Sequence, residues 1–184
     1  MPEPGRPTPE LRLGRLDEAD AIDALMKAST RDLFPAWYDA EQTAASIEYV
    51  ASVDRTLIAD ETYFVAEADD GLIACGGWSR RDKMYAGAGD AAGDARLVDP
   101  ATEPARVRAM FVRSDWTRRG LGRRILEACE AAARAEGFQR LALVATLPGR
   151  PLYEAYGFHA TGEERVRMPN GVEMSAIPME MPLG

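Results

Sequence analysis

One run of residues, 105–145, constrains the fold more than any other, because two strand patterns flank a basic, glycine-containing helix start. The segment ARVRAMFV at 105–112 alternates as a strand does, which predicts Val107, Ala109 and Phe111 on one face and Met110 and Val112 on the other. The segment RLALVA at 140–145 is apolar throughout, as in a strand buried on both faces. Two strands joined by a helical crossover are parallel, so the run predicts a βαβ unit.

The helix of this unit is indicated by apolar residues at one-face spacing, with Gly137 as the stop signal after them. These residues are Leu121, Ile125, Leu126, Cys129, Ala132 and Ala133. Its opening sequence, SDWTRRGLGRR at 114–124, contains Gly120 and Gly122 among four arginines. The start of the helix is therefore the first candidate for a functional site.

The first amide N–H groups of a helix lack intrahelical acceptors, and the helix dipole adds positive potential there, so an anion is a natural ligand. Glycines let a pyrophosphate approach the backbone, and arginines can neutralise its oxygens; the basic side chains here are Arg118, Arg119, Arg123 and Arg124. Two glycines before a helix more often form only a tight turn. Both interpretations stay open at this point.

The charge of the chain bears on what this loop binds. Net charge is −8, yet residues 108–124 contain six arginines and one acid, a local excess of about +5. An acidic protein with one basic patch suggests one particular anion and argues against non-specific binding to nucleic acid or an anionic membrane surface. A solvated, arginine-rich helix start is the simpler alternative.

Outside the βαβ unit, the patterns predict a short strand at 11–16, a helix starting at Asp17, and a second helix at about 39–53 that begins with an Asp39 and Gln42 capping box. Strands are predicted at 62–68 and 72–80 around an Asp-Gly turn. A long loop follows at 81–104, then, after the βαβ unit, a short helix ending at Gly157 and a hairpin at Asn170. The predicted order is β-α-α-β-β-β-α-β-α-β-β.

The two cysteines, Cys75 and Cys129, fit neither a disulfide framework nor metal-ligand spacing and are predicted to be reduced core residues. The proline-rich residues 1–10 contain no apolar signal region and are predicted to be flexible, with one domain at 11–184. No stretch is apolar enough for a membrane span, so a cytoplasmic protein is expected. With a single histidine, neither a Ser-His-Asp arrangement nor a metal site is expected.

Two familiar phosphate loops do not fit. A P-loop ends in Gly-Lys-Ser/Thr, whereas this chain has Gly122-Arg123-Arg124. A dinucleotide fingerprint needs a third glycine, where Ile125 stands, and an acid about 20 residues further on, where the sequence is Leu-Ala-Leu.

The run RVRAMFVRSDWTRRGLGRRILEACEAAARAEGFQRLALVA, followed by LYEAYGF, resembles the GNAT superfamily of acyl-CoA-dependent N-acyltransferases. The motif match covers residues 106–158. The resemblance implies an α/β (α+β) three-layer fold, with a mixed, mostly antiparallel sheet, a central parallel βαβ unit and helices on both faces. Thr117 departs from the Arg or Gln of the loop pattern, and Thr146 stands where many members carry Asn.

The resemblance also implies acetyl-CoA as co-substrate, with no metal. The strand end would supply backbone groups for the pantetheine arm and the thioester carbonyl, and the loop would bind the pyrophosphate. The implied cofactor-binding residues are Met110, Phe111, Val112, Arg118, Arg119, Gly120, Leu121, Gly122 and Arg123. Homodimers are common in the family.

The implied reaction is acetyl transfer to a primary amine of a small molecule or peptide by direct attack, with Tyr153 as general acid for the leaving thiolate. Three glutamates, or a water chain, are candidates for the base; they are Glu61, Glu103 and Glu154. Trp37 and Tyr38 are candidates for a substrate pocket, with packing an equal alternative. A non-catalytic acyl-CoA-binding or regulatory domain of the same fold is the competing hypothesis.

Overall fold

The helices and strands follow the predicted order, with one extra helix and one extra short strand. A computed structural model describes residues 9–85 and 95–184. The elements are β1 (Leu11–Leu13), α1 (Ala19–Leu33), α2 (Ala40–Tyr49), α3 (Arg55–Ala59), β2 (Tyr63–Ala68), β3 (Gly71–Ser79), β4 (Ala105–Val112), α4 (Leu121–Ala135), β5 (Arg140–Thr146), α5 (Arg150–Tyr156), β6 (His159–Ala160), β7 (Glu164–Arg167) and β8 (Glu173–Pro182).

These strands form one sheet of eight, in the order β1-β2-β3-β4-β5-β8-β6, and β7 also pairs with β8. Only β4 and β5 are parallel, and every other neighbouring pair is antiparallel. The predicted mixed, mostly antiparallel sheet with a central βαβ unit is confirmed. Both predicted hairpins are also present, with Ala68 opposite Gly71 and Arg167 opposite Glu173.

Helices cover both faces of the sheet, which gives the predicted three layers. On one face, α1 and α3 pack on β2 and β3 through a cluster that includes Ile22, Leu57 and Val65. On the same side, α2 packs on β7 and β8. On the opposite face, α4 contributes Ile125 and Leu126 to the largest cluster of buried apolar residues.

The N-termini of the first two helices test two predictions made from local sequence. The capping box is confirmed, since Asp39 Oδ1 accepts from the Gln42 N–H at 2.8 Å and Gln42 Oε1 accepts from the Asp39 N–H at 3.1 Å. The predicted cap at Asp17 is wrong, because a 3₁₀ turn at Leu16–Glu18 precedes α1. There the Glu18 carboxylate accepts from the Arg15 N–H at 2.8 Å.

A β-bulge interrupts β4 in the middle of the sheet. Cys75 lies opposite Phe111 and Gly77 opposite Arg108, so one residue of β3 faces two of β4. One of those two, Ala109, has the left-handed φ of 53° that is rare for a residue with a side chain. The hydroxyl of buried Tyr63 donates to the Ala109 carbonyl at 2.7 Å and so stabilises this conformation.

The bulge overturns one prediction about β4. Val107 was expected to share a face with Ala109 and Phe111, but it packs in the α4-side cluster. Met110 and Val112 pack against that same cluster, whereas Ala109 and Phe111 pack on the α1 side. The extra residue of a bulge reverses the alternation of side chains, so a pattern of period two fails across it.

The cysteines lie in the core as predicted. Cys75 and Cys129 are free and buried. Burial raises the pKa of the Cys75 thiol to about 12 and also raises that of Cys129, because a thiolate is poorly solvated in an apolar interior. Neither thiol therefore has the thiolate character of a reactive cysteine.

The predicted flexible residues 1–10 and the predicted loop at 81–104 fall partly outside the described residues, which omit 1–8 and 86–94. Of the described loop residues, Arg81 near the start pairs with Leu97 in an antiparallel β-bridge. The Asp82 N–H donates to the Arg96 carbonyl at 2.9 Å. No helix in the described ranges has the length and apolar character needed to cross a membrane.

Two glycines lie next to Tyr63, and substitution of each by alanine should affect the free energy of unfolding differently. A Cβ on Gly77 would lie 2.3 Å from the Thr62 carbonyl oxygen and 2.9 Å from Tyr63 Cα. A Cβ on Gly14 would meet no heavy atom closer than 3.5 Å. We expect Gly77→Ala to lower the free energy of unfolding by about 1–3 kcal/mol. Gly14→Ala should stay within about 0.5 kcal/mol of the wild type. Urea denaturation measures both, and equal effects would contradict the role of close packing at Gly77.

Candidate functional site

The parallel strands β4 and β5 pair over only two positions. Ala105 lies opposite Leu141 and Arg106 opposite Ala142, after which the two strands continue without pairing. Beyond this point β4 continues through the predicted residues Met110, Phe111 and Val112, which have no partner on β5. Backbone N–H and C=O groups without a strand partner are available to a ligand, so the gap between β4 and β5 is the first part of the site.

The end of α1 closes one side of this gap, which the sequence did not reveal. Ser29 Oγ donates to the Val112 carbonyl at 2.8 Å and is itself buried. One turn later, the Asp32 carboxylate accepts from the Ser114 hydroxyl at 2.6 Å. Both bonds join residues more than 80 positions apart, so no local pattern could have indicated them.

The loop after β4 forms a cradle of backbone amides. Thr117 Oγ1 donates to the Ser114 carbonyl at 2.9 Å, which fixes the 3₁₀ turn before the cradle. Arg118 and Gly120 then take left-handed φ values of 60° and 80°. The first helix-type bond runs from Arg124 N–H to the Gly120 carbonyl at 3.0 Å. The amides of residues 118–123 therefore have no backbone acceptor in the described part of the chain.

Three of the six arginines in residues 108–124 do not belong to this cradle, so the predicted +5 patch is wrong. Each is satisfied elsewhere, by an acid or a carbonyl group. Arg108 is buried against Asp54 at 3.0 Å, Arg113 bonds Asp70 and Asp115 at 2.6–2.9 Å, and Arg124 Nη1 donates to the Pro9 carbonyl at 2.6 Å. These partners are distant in sequence or on other elements, and composition alone counts only the cations.

Arg118, Arg119 and Arg123 remain exposed at the cradle. The Arg119 guanidinium lies over the Trp116 ring, 4.7 Å from its centroid. The Arg123 guanidinium lies over the Tyr156 ring at 5.3 Å. Guanidinium groups stacked on aromatic rings keep their N–H edges free for phosphate oxygens.

The two glycines of the loop differ in role. Gly120 has a positive φ, and a Cβ there would meet no atom within 4 Å, so the backbone at Gly120 is open to a ligand. A Cβ on Gly122 would lie 2.7 Å from Leu152 Cδ2. The lack of a side chain at Gly122 thus also makes room for Leu152 of α5 beside the first turn of α4, which the sequence did not reveal.

Tyr153 lies on α5 beside the gap, 9% exposed, with its ring edge-on to Phe158. Gly149 makes room for it, because a Cβ there would lie 3.0 Å from Tyr153 Cε2. Burial raises the pKa of the Tyr153 hydroxyl above its usual value, which keeps it protonated. Within the described residues this hydroxyl forms no hydrogen bond, so its proton is available to a ligand.

The structure distinguishes among the glutamates proposed as base. Glu103 is paired with Arg96 at 2.6 Å, and the hydrogen bonds from Arg96 lower its pKa to about 2, which makes it a weak base. Glu154 is on the exposed side of α5, paired with Arg150 at 2.7 Å. Glu61 lies in the turn between α3 and β2 with a left-handed φ of 58°.

Trp37 and Tyr38 follow α1 but have different environments. Trp37 is 50% exposed, whereas Tyr38 is 6% exposed and packs on Phe34. The Tyr38 hydroxyl donates to the Ser175 carbonyl at 2.8 Å and accepts from the Leu147 N–H at 2.9 Å. Tyr38 therefore joins the connection after α1 to the end of β5 and to β8, while Trp37 presents a surface that a substrate can contact.

Thr146 ends β5, and its hydroxyl lies on the side of Gly149, 3.5 Å from where a Cβ would be. In residues 9–85 and 95–184, no three side chains of His, Cys, Asp or Glu are grouped as a metal ion would require. The site thus consists of a strand edge, an amide cradle with three arginines, and a buried tyrosine.

This fold and site define an α/β protein in which two parallel strands separate beside a helix start whose first amides have no backbone acceptor in the described chain. The model of the acetyltransferase (GNAT) domain matches residues 59–160, which is more than half of the chain. The chain belongs to the GNAT acetyltransferase family, as its resemblance predicted.

Solved structures show the same fold along nearly the whole chain. A GCN5-related N-acetyltransferase from Rhodopseudomonas palustris is 20% identical, with a TM-score of 0.73 over 97% of this chain and 98% of that one. The PaiA N-acetyltransferase from Thermoplasma acidophilum, in complex with coenzyme A, is 13% identical, with a TM-score of 0.62 over 96% and 99%. The ribosomal-protein-S18-alanine N-acetyltransferase from Escherichia coli is 19% identical, with a TM-score of 0.58 over 96% and 95%. No curated protein sequence matches the chain.

The contrast between Trp37 and Tyr38 gives a stability prediction. Tyr38→Phe keeps the ring but leaves the Leu147 N–H and the Ser175 carbonyl without their partner, so the free energy of unfolding should fall by about 1–3 kcal/mol. Trp37→Phe, at a half-exposed position, should change it by no more than about 0.5 kcal/mol. Chemical denaturation of both variants is the measurement, and an unchanged Tyr38→Phe variant would contradict the bridging role.

Proposed function

We propose that the chain is an N-acetyltransferase that moves an acetyl group from acetyl-CoA to a primary amine of a small molecule or peptide. The observation that carries this proposal is the unpaired edge of β4, which leads directly into the amide cradle at Arg118–Gly122. A ligand with an extended polar arm and a pyrophosphate matches a strand edge followed by an anion site. Membership of the GNAT family supports the same assignment.

The residues present suit each part of acetyl-CoA. Backbone groups of Met110, Phe111 and Val112 would hold the pantetheine arm and the thioester carbonyl. The amides of residues 118–123 would hold the pyrophosphate, and the exposed arginines at the cradle would neutralise it. Backbone N–H groups aimed at the carbonyl oxygen would also stabilise the oxyanion that forms on attack.

In the proposed reaction, the neutral amine attacks the thioester carbonyl carbon, and a tetrahedral oxyanion forms. Its collapse breaks the C–S bond, and the departing thiolate takes the proton of Tyr153. A free thiol titrates near 8.5, below a buried tyrosine, so Tyr153 keeps its proton until negative charge develops on the sulfur, and the resulting tyrosinate then regains a proton from water. We assign removal of the amine proton to water, because Glu103 and Glu154 are held in ion pairs and Glu61 is exposed in the turn between α3 and β2.

One observation favours a second candidate, a non-catalytic acyl-CoA-binding domain. Thr117 stands where the loop pattern has Arg or Gln, and its hydroxyl is already bonded to the Ser114 carbonyl. It thus adds no side-chain contact to a phosphate. Release of free thiol from acetyl-CoA in the presence of a panel of amines separates the two functions, because a binding domain produces none.

Acetyl-CoA binding is tested by thermal unfolding of the full chain. At a hundred times its dissociation constant, a ligand that binds only the folded state stabilises it by about 2.7 kcal/mol. For a protein of this size that shift is roughly 5–10 °C in Tm. Acetyl-pantetheine, which lacks the phosphates, is the matched control and should shift Tm less. No shift at millimolar acetyl-CoA would contradict both candidate functions.

The acid role of Tyr153 is tested by Tyr153→Phe. Loss of a general acid should lower kcat by roughly 10²–10⁴-fold while acetyl-CoA affinity is retained. Because burial raises the tyrosine pKa, the wild type should keep its acid as pH rises through the ordinary tyrosine range near 10, and ionisation should become limiting only above it. Steady-state kinetics against pH measure both effects. Unchanged kcat in the variant would exclude Tyr153 as the acid.

A further inference from the structure

A second tyrosine of α5 touches an arginine of the cradle. Tyr156 is the last residue of α5, and Arg123 is the third residue of α4. The Arg123 guanidinium carbon lies 5.3 Å from the centroid of the Tyr156 ring. The two helices are in contact at this point, where the Leu152 side chain packs against Gly122.

The Tyr156 ring is itself held in place. Its hydroxyl donates to a Glu130 carboxylate oxygen at 2.5 Å. Glu130 lies on α4, about two helical turns after Arg123. Arg134 donates to the other carboxylate oxygen of Glu130 at 2.9 Å. The hydrogen bond from Tyr156 lowers the pKa of Glu130, and burial raises the pKa of Tyr156, so the donor stays protonated and the acceptor stays ionised. The ring thus has a fixed orientation under the guanidinium.

Arg123 keeps part of its donor capacity free. Its Nε donates to Glu127 at 3.1 Å, while its two Nη groups donate to no residue in the described part of the chain. The side chain is 58% exposed, on the first turn of the helix whose amides form the cradle. The terminal edge of the guanidinium is the part that binds phosphate oxygens in pairs.

We propose that Tyr156 is a positioning residue: stacked under Arg123 and tethered to Glu130, it holds the guanidinium at the cradle for the phosphates of acyl-CoA. The inference rests on the proposed function and extends it to a residue outside the cradle. A free arginine side chain loses rotamer freedom when it binds, and a stacked one has already lost much of it. The aromatic face also favours the cation electrostatically.

The test is calorimetric titration of the full chain with coenzyme A, using four proteins in a double-mutant cycle. These are the wild type, Tyr156→Leu, Arg123→Gln and the double variant. We expect Arg123→Gln to raise Kd about tenfold and Tyr156→Leu to raise it about two- to fivefold. If Tyr156 acts through Arg123, the Kd of the double variant for coenzyme A should equal, within about twofold, the larger of the two single-variant Kd values.

Two controls separate positioning from a general structural effect. Pantetheine, which lacks all the phosphates, should bind the four proteins with the same affinity. Arg55→Gln removes an arginine of similar exposure, 60%, from α3 on the opposite face of the sheet, and its Kd for coenzyme A should stay within about twofold of the wild type.

Tyr156→Phe keeps the ring and removes the tether, so it covers the case in which Tyr156→Leu does not fold. We expect it to raise Kd by about two- to threefold and to leave pantetheine binding unchanged. Three outcomes would overturn this inference and leave the proposed function standing. They are additive effects in the double variant, equal losses of affinity for coenzyme A and pantetheine, and unchanged affinity in both Tyr156 variants. A wild type that does not bind coenzyme A would overturn the proposed function as well.

Discussion

The structure depends on a strained backbone position in β4. Ala109 adopts a left-handed φ in the middle of a central strand, which is unfavourable for a residue with a side chain. The Tyr63 hydroxyl bonds its carbonyl, and Gly76 on β3 leaves the space that Met110 fills, since a Cβ there would lie 2.6 Å from Met110 Cγ. A bulge bends and twists its strand, and pairing of β4 with β5 ends just before this one, at Arg106 and Ala142. The gap that would receive the acyl arm therefore follows from packing on the other side of β4.

The second half of the site depends on a helix start that remains unsatisfied. Arg118 and Gly120 turn the chain so that several amides point outward, and only the bond from Arg124 to the Gly120 carbonyl begins the helix ladder. In a protein with net charge −8, three exposed arginines are enough to make this one location attractive to an anion. Of the other three arginines of the run, Arg108 and Arg113 are paired with acids within the fold, so the remaining positive charge lies at the start of α4.

Sequence patterns predicted the elements well and the partners poorly. The βαβ unit, both hairpins and the Asp39 capping box depend on neighbouring residues, and all are present. The bulge was not predicted, because alanine carries no signal for a left-handed φ and its stabilising partner, Tyr63, is 46 residues away. The partner of Arg108 is 54 residues away, and the position of Leu152 against Gly122 depends on how two helices pack. Such contacts arise only once the chain is folded.

The two tyrosines of α5 show how one short helix can serve both ends of a ligand. The Tyr153 side chain is largely buried and its hydroxyl forms no hydrogen bond in the described chain, which suits a proton donor, whereas the Tyr156 proton is already committed to Glu130. Their positions relative to α4 are set by the same contact, Leu152 against Gly122. A side chain at Gly122 would meet Leu152 Cδ2 first, so under the proposed function it would press on the helix that carries both the acid and the partner of Arg123. That contact gives a reason for a glycine at 122 even though its backbone takes no left-handed conformation.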